Sequence, residues 1–350
     1  MKAKTRLLTL FLCILGVGSA RAEGFDFTAW RGRIDPAIDR GLAYLIAQQN
    51  EDGSFGQSYG KTTAIPALVG MAFLSKGYQP SGGPHAEVIT RCVDYVLNHQ
   101  KDTGMLTADE RGNGPMYAHN ISALFLSEVS GMVDPARQER INKTLKAALQ
   151  VILKAQAVEK SEQYRGGWRY HPNSYDSDLS CSGWALMALR SAKGNGAAVP
   201  DEAITKALNY VLSLQDKKLG CFGYMNTETH RETLTGMGLL CLELCGMHGK
   251  PETIKAADFI MGDFRQLPGR EYETYGNYYN AQAMFQMGGR YWETYAPWMY
   301  THYLAKQRED GSWDASEAGP VYGTSMMVLT FSVPYRQLPI YQRDETIDEK

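Results

Sequence analysis

Two aspartates separated by one residue, Asp176 and Asp178, stand just ahead of an apolar run that begins at Leu179. Carboxylates that close can couple, because ionising one raises the pKa of the other. A carboxyl kept protonated near neutral pH can then act as an acid. Carboxylates on either side of a glycosidic bond support a different chemistry, and Asp178 with Glu232 is the pair that placement offers for it. Asp and Ser before an apolar run also cap helices, so Asp178 and Ser180 admit a purely structural reading. Further polar or aromatic residues lead other apolar runs: Tyr117 and His119, His230 and Glu232, Tyr279, and Tyr322. His119 and His230 are each either an acid–base group or a hydrogen-bonded structural histidine. Trp168 and Tyr170 either line a ligand site or pack a long loop. No spacing of Cys, His and carboxylate matches a zinc site, so neither a metal nor a cofactor is expected.

These residues must be held by a repeated element. A helical run ending in Gln, a polar turn with Gly and an aromatic, and a second, more apolar run recur along the chain. The clearest copies are YLIAQQNEDGSFG from Tyr44 and YLAKQREDGSWD from Tyr303. The turn glycines fall at Gly53, Gly104, Gly166, Gly220 and Gly311. The last interval is nearly twice the others, and a degenerate copy, AADFIMGDFRQLPG followed by YYNAQAMFQMGG, fills it to make six units. First helices are amphipathic and second helices nearly wholly apolar, which predicts an outer and an inner layer. The inner segments are expected to start near Ala64, Ile121, Ser182, Leu234, Ala281 and Ser325. Six pairs can close into a ring, an all-α α6/α6 toroid; the competing arrangement is an open solenoid. In a toroid the inner helices run in one direction, so their N-termini and unpaired N–H groups gather at one mouth. The candidates above then converge there.

The Q-x-x-D-G-S-F/W pattern at Gln49 to Phe55 and Gln307 to Trp313 resembles the prenyltransferase and squalene oxidase repeat. That repeat marks the toroids of triterpene cyclases and of protein prenyltransferase β subunits, and the resemblance spans essentially the whole chain after the leader. Gly166 to Arg190 is similar to the stretch of class II cyclases that carries D-x-D-D-T. Asp176 matches the first Asp, Asp178 the central one and Ser180 the Thr, while Leu179 replaces the third Asp. The resemblance implies that Asp178 is the acid and that the ligand is an apolar, isoprenoid-type molecule. Against the prenyltransferases, Asp178 matches a zinc-binding Asp, but Ser180 stands where the Cys ligand belongs. Zinc-dependent prenyl transfer is therefore disfavoured.

Residues 1–22 read as a secretory signal peptide, with Lys2, Lys4 and Arg6 ahead of an apolar stretch and Ala20-Arg21-Ala22 as the cleavage pattern. Export to the periplasm or the extracellular space is expected. Removing the leader leaves 32 of the 36 basic residues against 38 acidic ones, with no basic stripe, so a nucleic-acid partner is not expected. No transmembrane segment is expected after the leader. Cys92, Cys181, Cys221, Cys241 and Cys245 are odd in number and scattered, unlike a disulfide framework. No linker divides the remainder, which reads as one toroid domain over 23–340 and a polar tail over 341–350. Three functions fit this reading: a cyclase-like enzyme or binder of an apolar ligand, a carbohydrate-active glycosidase or lyase, and a non-catalytic interaction toroid.

Overall fold

The alternation of amphipathic and apolar segments becomes twelve α-helices in a computed structural model that describes residues 26–56, 61–108 and 114–342. The leader expected at 1–22 and residues 343–350 of the expected tail lie outside the described residues. The outer helices are α1 (Phe27–Gln48), α3 (Ala86–Asn98), α5 (Pro135–Ala157), α7 (Asp201–Ser213), α9 (Pro251–Asp263) and α11 (Gly289–Leu304). The inner helices are α2 (Ala64–Ser75), α4 (Met116–Glu128), α6 (Leu179–Gly194), α8 (Arg231–Leu244), α10 (Glu273–Met287) and α12 (Gly319–Ser332). On α3 the buried stripe Ile89, Cys92, Val93 and Val96 faces inward, while α2 buries every residue after its first. Each inner helix packs on the next, and α12 returns to α2 and closes the ring. The described residues contain only isolated bridges between extended residues.

Five of the inner helices begin three to eight residues before their expected starts. The residues between include Tyr, His, Asn, Thr, Glu, Arg and Gly, whose polarity disguises a first helical turn. Tyr117, His119 and Tyr279 therefore lie within helices and not ahead of them.

The repeated turn locks neighbouring units together. The glutamine at the end of an outer helix donates through its side-chain amide to a carbonyl of the next outer helix. Gln49 donates to Val88 O, Gln100 to Thr144 O, Gln156 to Ala203 O and Gln215 to Glu252 O, at 2.9–3.1 Å. Gln307 does the same to Ala37 O of α1 at 2.8 Å, so the sixth unit clasps the first. Glycine is required beside this clasp. At Gly311, with φ +88°, an added Cβ would lie 2.5 Å from Arg40 O. The fifth unit, α9 with α10, replaces the glycine turn by a 3-10 turn, Phe264–Gln266.

The interior of the ring is filled. Trp184 of α6 stacks on Tyr278 of α10 at 6.0 Å, although α8 separates those helices around the ring. Both side chains are fully buried. The end opposite the inner-helix N-termini is stoppered by the 3-10 turn Pro339–Tyr341. There Ile340 N–H donates to the Glu128 carboxylate at 3.0 Å, and the Tyr341 hydroxyl donates to Leu329 O at 3.3 Å.

Candidate functional site at the inner-helix mouth

Asp178 is the N-cap of α6, its extended backbone tied to the turn by Asp178 N–H donating to Trp168 O. The carboxylate is wholly buried. One oxygen accepts from Cys181 N–H at 2.8 Å and from the Ser180 hydroxyl at 2.6 Å. The other accepts from the Arg169 guanidinium at 2.9 Å. Burial pushes the Asp178 carboxyl up, and the bonds from Ser180, Cys181 N–H and Arg169 pull it back. Three donors, one of them a guanidinium, describe an ionised carboxylate.

Arg169 organises the neighbourhood. It donates to the Tyr224 hydroxyl at 2.6 Å, faces the Asp176 carboxylate at 3.3 Å and lies 4.3 Å from the Tyr170 ring centroid. Tyr170 and Tyr224 join through their hydroxyls. Asp176 and Asp178 are thus brought together by a shared cation. Tyr117 of α4 stacks on Tyr170 at 5.8 Å and donates its hydroxyl to Ser180. Burial, then the neighbouring Tyr275, Cys181 and Asp178, holds the Tyr117 phenol well above its ordinary pKa.

From the far side, α10 brings Tyr275 and Tyr279, with ring centroids 4.8 Å apart; burial above all, with Tyr322 of α12 among the neighbours, raises the pKa of both. The hydroxyls of Tyr275 and Tyr279 are buried and have no hydrogen-bond partner among the described residues. The rings of Tyr117, Tyr170, Tyr224, Tyr275 and Tyr322 remain half-buried, whereas Tyr279 is wholly buried. Tyrosine rings and phenol hydroxyls thus cluster at the N-terminal ends of α4, α6, α10 and α12.

Four sequence candidates sit elsewhere. His119 lies between the layers, wholly buried: Nδ1 accepts from Leu106 N–H at 3.0 Å and Nε2 donates to Ala148 O at 3.1 Å. Burial lowers its pKa to about 4. It fills the role that Ser182, Thr235 and Thr324 play in other units, accepting the N–H of Trp168, Phe222 and Trp313. Trp168 is likewise a buried turn pin, its indole N–H donating to Ile152 O at 2.8 Å. Glu232 pairs with Arg270 at 3.5 Å. His230 is exposed on the rim, edge-on to Tyr224 and Tyr272. His230 and Tyr272 hold φ values of 55° and 59°, a strained conformation that two successive inner-helix starts share.

Sequence reasoning missed Arg169, Tyr224 and Tyr275. Tyr275 was legible, four residues before Tyr279 and so on the same helix face. Arg169 and Tyr224 come from aperiodic loops, where spacing carries no such signal. Among the described residues no group of three or more His, Cys, Asp and Glu side chains gathers to hold a metal ion.

No protein-family model matches the chain, and no curated protein sequence matches it. Solved structures do. A variant of the type II terpene cyclase MstE from Scytonema, in complex with geranylgeranyl dihydroxybenzoate, aligns at TM-score 0.59 and 13% identity over 89% of this chain and 100% of that one. An inactive variant of the α-1,6-mannanase GH76A of Salegentibacter sp. HEL1_6, in complex with α-1,6-mannotriose, aligns at TM-score 0.62 and 9% identity over 85% and 98%. A protein from Actinoplanes aligns at TM-score 0.56 and 14% identity over the same shares. At these identities the likeness is one of fold, and the chain is an α/α toroid of the kind seen in a type II terpene cyclase and in a mannanase.

Proposed function

We propose that the protein is a carbohydrate-active toroid that takes a hydroxylated, ring-shaped ligand into the tyrosine mouth. The observation that carries this reading is the pair of buried hydroxyls of Tyr275 and Tyr279, without a partner among the described residues, beside tyrosines that are only partly buried. A buried hydroxyl without a partner costs about 1–3 kcal/mol, which a ligand hydroxyl removes. The C–H faces of a sugar ring suit the tyrosine rings, and its rim of hydroxyls suits the phenol hydroxyls. Below, Trp184 packs against Tyr278 across the ring, which suits a short ligand better than a long chain. The mannanase is a toroid bound to a mannotriose, which supports the class. Export by the leader would bring the protein to extracellular or periplasmic glycans. N-terminal sequencing of the secreted protein tests that step, with Glu23 as the expected first residue.

Calorimetry with α-1,6-mannotriose and other neutral trisaccharides tests the ligand class. Tyr279→Phe should weaken binding about fivefold, the worth of one neutral hydrogen bond. Failure of every trisaccharide to bind at millimolar concentration rejects the reading.

A second reading is an apolar, isoprenoid-type ligand. It is favoured by the aromatic rings, which can face positive charge, and by the MstE complex. Here Asp178 would have to gain a proton before donating one, because donors already fill both of its oxygens. Saturable binding of geranylgeraniol, displaced by no trisaccharide, would favour this reading over the first.

A further inference from the structure

The hydrogen bonds at the mouth have a direction. Arg169 and Cys181 N–H can only donate, so the Asp178 carboxylate accepts from both. Ser180 donates its single proton to that carboxylate at 2.6 Å, which leaves its oxygen to accept. Tyr117 therefore donates to Ser180 and turns its lone pairs toward the mouth. Opposite stands the wholly buried Tyr279, whose hydroxyl has no partner among the described residues.

We propose that Tyr117 is the catalytic base of this site, drained of its proton through Ser180 to Asp178. The inference rests on the mouth being where ligand meets protein. A ligand O–H gives its proton to the Tyr117 oxygen as the phenol gives its own to Ser180. Ser180 in the same step passes its proton to Asp178. The ligand oxygen is left with the electron pair, Tyr117 and Ser180 are unchanged, and Asp178 ends as a carboxylic acid. A free phenolate beside the Asp178 charge would be disfavoured, so the handover must be concerted. Ser180, Asp178 and Arg169 act as positioning residues, and Arg169 also holds the carboxylate in place when it is charged.

The test needs no carbohydrate. Phenylsulfonyl fluoride forms a bond between its sulfur and a tyrosine oxygen, breaks the S–F bond and releases fluoride, while the phenol proton leaves through the relay. Peptide mass spectrometry of the whole protein compares Tyr117 with the exposed Tyr175 as internal reference. Tyr117 should be modified first. Ser180→Ala should slow Tyr117 about 100-fold relative to Tyr175, the low end of what proton-transfer assistance contributes. Ser180→Thr should restore it. Asp178→Asn keeps the helix cap and should show the same loss as Ser180→Ala, which covers the case of an unstable Ala variant. Tyr175 labelled ahead of Tyr117, or a Ser180→Ala protein that folds and labels like wild type, overturns the relay. A reactive Tyr117 in a protein that binds no trisaccharide rejects the carbohydrate reading alone. Trisaccharide binding with an inert Tyr117 rejects the relay alone.

Discussion

Asp178 holds a helix end on one oxygen and a guanidinium on the other, so its two duties can be separated by substitution. Asn caps as well as Asp but carries no charge for Arg169. Asp178→Asn should cost about 1.5–3 kcal/mol through the lost charged bond. Asp178→Ala should cost about 1 kcal/mol more through the lost cap. Urea unfolding of both variants measures the difference, and equal losses would remove the cap. Two other buried groups set the pH response. His119 has its pKa lowered from 6.5 to about 4, so its stability contribution is present above pH 6.5 and is lost as pH falls toward 4. Glu128 is raised by burial from 4.5 to about 7, so its contribution is present below pH 4.5 and is lost as pH rises toward 7. Each amounts to about 3 kcal/mol, and between roughly pH 4.5 and 6.5 the slopes oppose one another. Glu128→Gln should unmask the histidine: its stability should rise with pH in that window, where wild type stays nearly flat. Identical pH curves would count against a buried, protonatable Glu128. The sequence made Asp178 and Tyr117 legible because they lead apolar runs. It left His119 open between an acid–base group and a hydrogen-bonded structural histidine, because an acceptor for a turn N–H and a ligand-facing group look alike before a helix; the structure gives the second.

The clasp between neighbouring outer helices is where the repeat becomes architecture. Gln307 donates to Ala37 O and to Gly311 O, so Gln307→Ala strands two carbonyls and should cost about 1–3 kcal/mol. Gln215, which donates to Gly220 O and Glu252 O, should show a similar loss when changed to Ala. A much smaller loss at Gln307 would mean that the seam is held by other contacts. Trp313 is buried beside the same clasp, its indole N–H donating to Tyr303 O at 2.7 Å. Trp313→Ala should cost about 3–5 kcal/mol, and an unchanged melting temperature would refute its pinning role. The spacing of glutamine, glycine and aromatic was readable because one geometry recurs. Helix starts were less readable, since Tyr, His and Asn in a first turn conceal the periodicity that Leu and Ile announce.

At the scale of the whole molecule, ring closure depends on one seam: α12 against α2, α1 against α12, and Gln307 clasping Ala37. That seam repeats the junctions between consecutive units. An opened chain therefore carries at one end the clasp that its own other end accepts, and a second opened chain offers the identical partner. Six units can close on themselves, or two chains can close on each other by exchanging terminal units, with the same contacts made. Intramolecular closure wins when chains are dilute, because the two ends are tethered. Refolding at high protein concentration should instead trap exchanged dimers, with helical content unchanged and twice the mass by light scattering. The machinery that lets this ring close without a capping unit also lets it recruit another copy of itself.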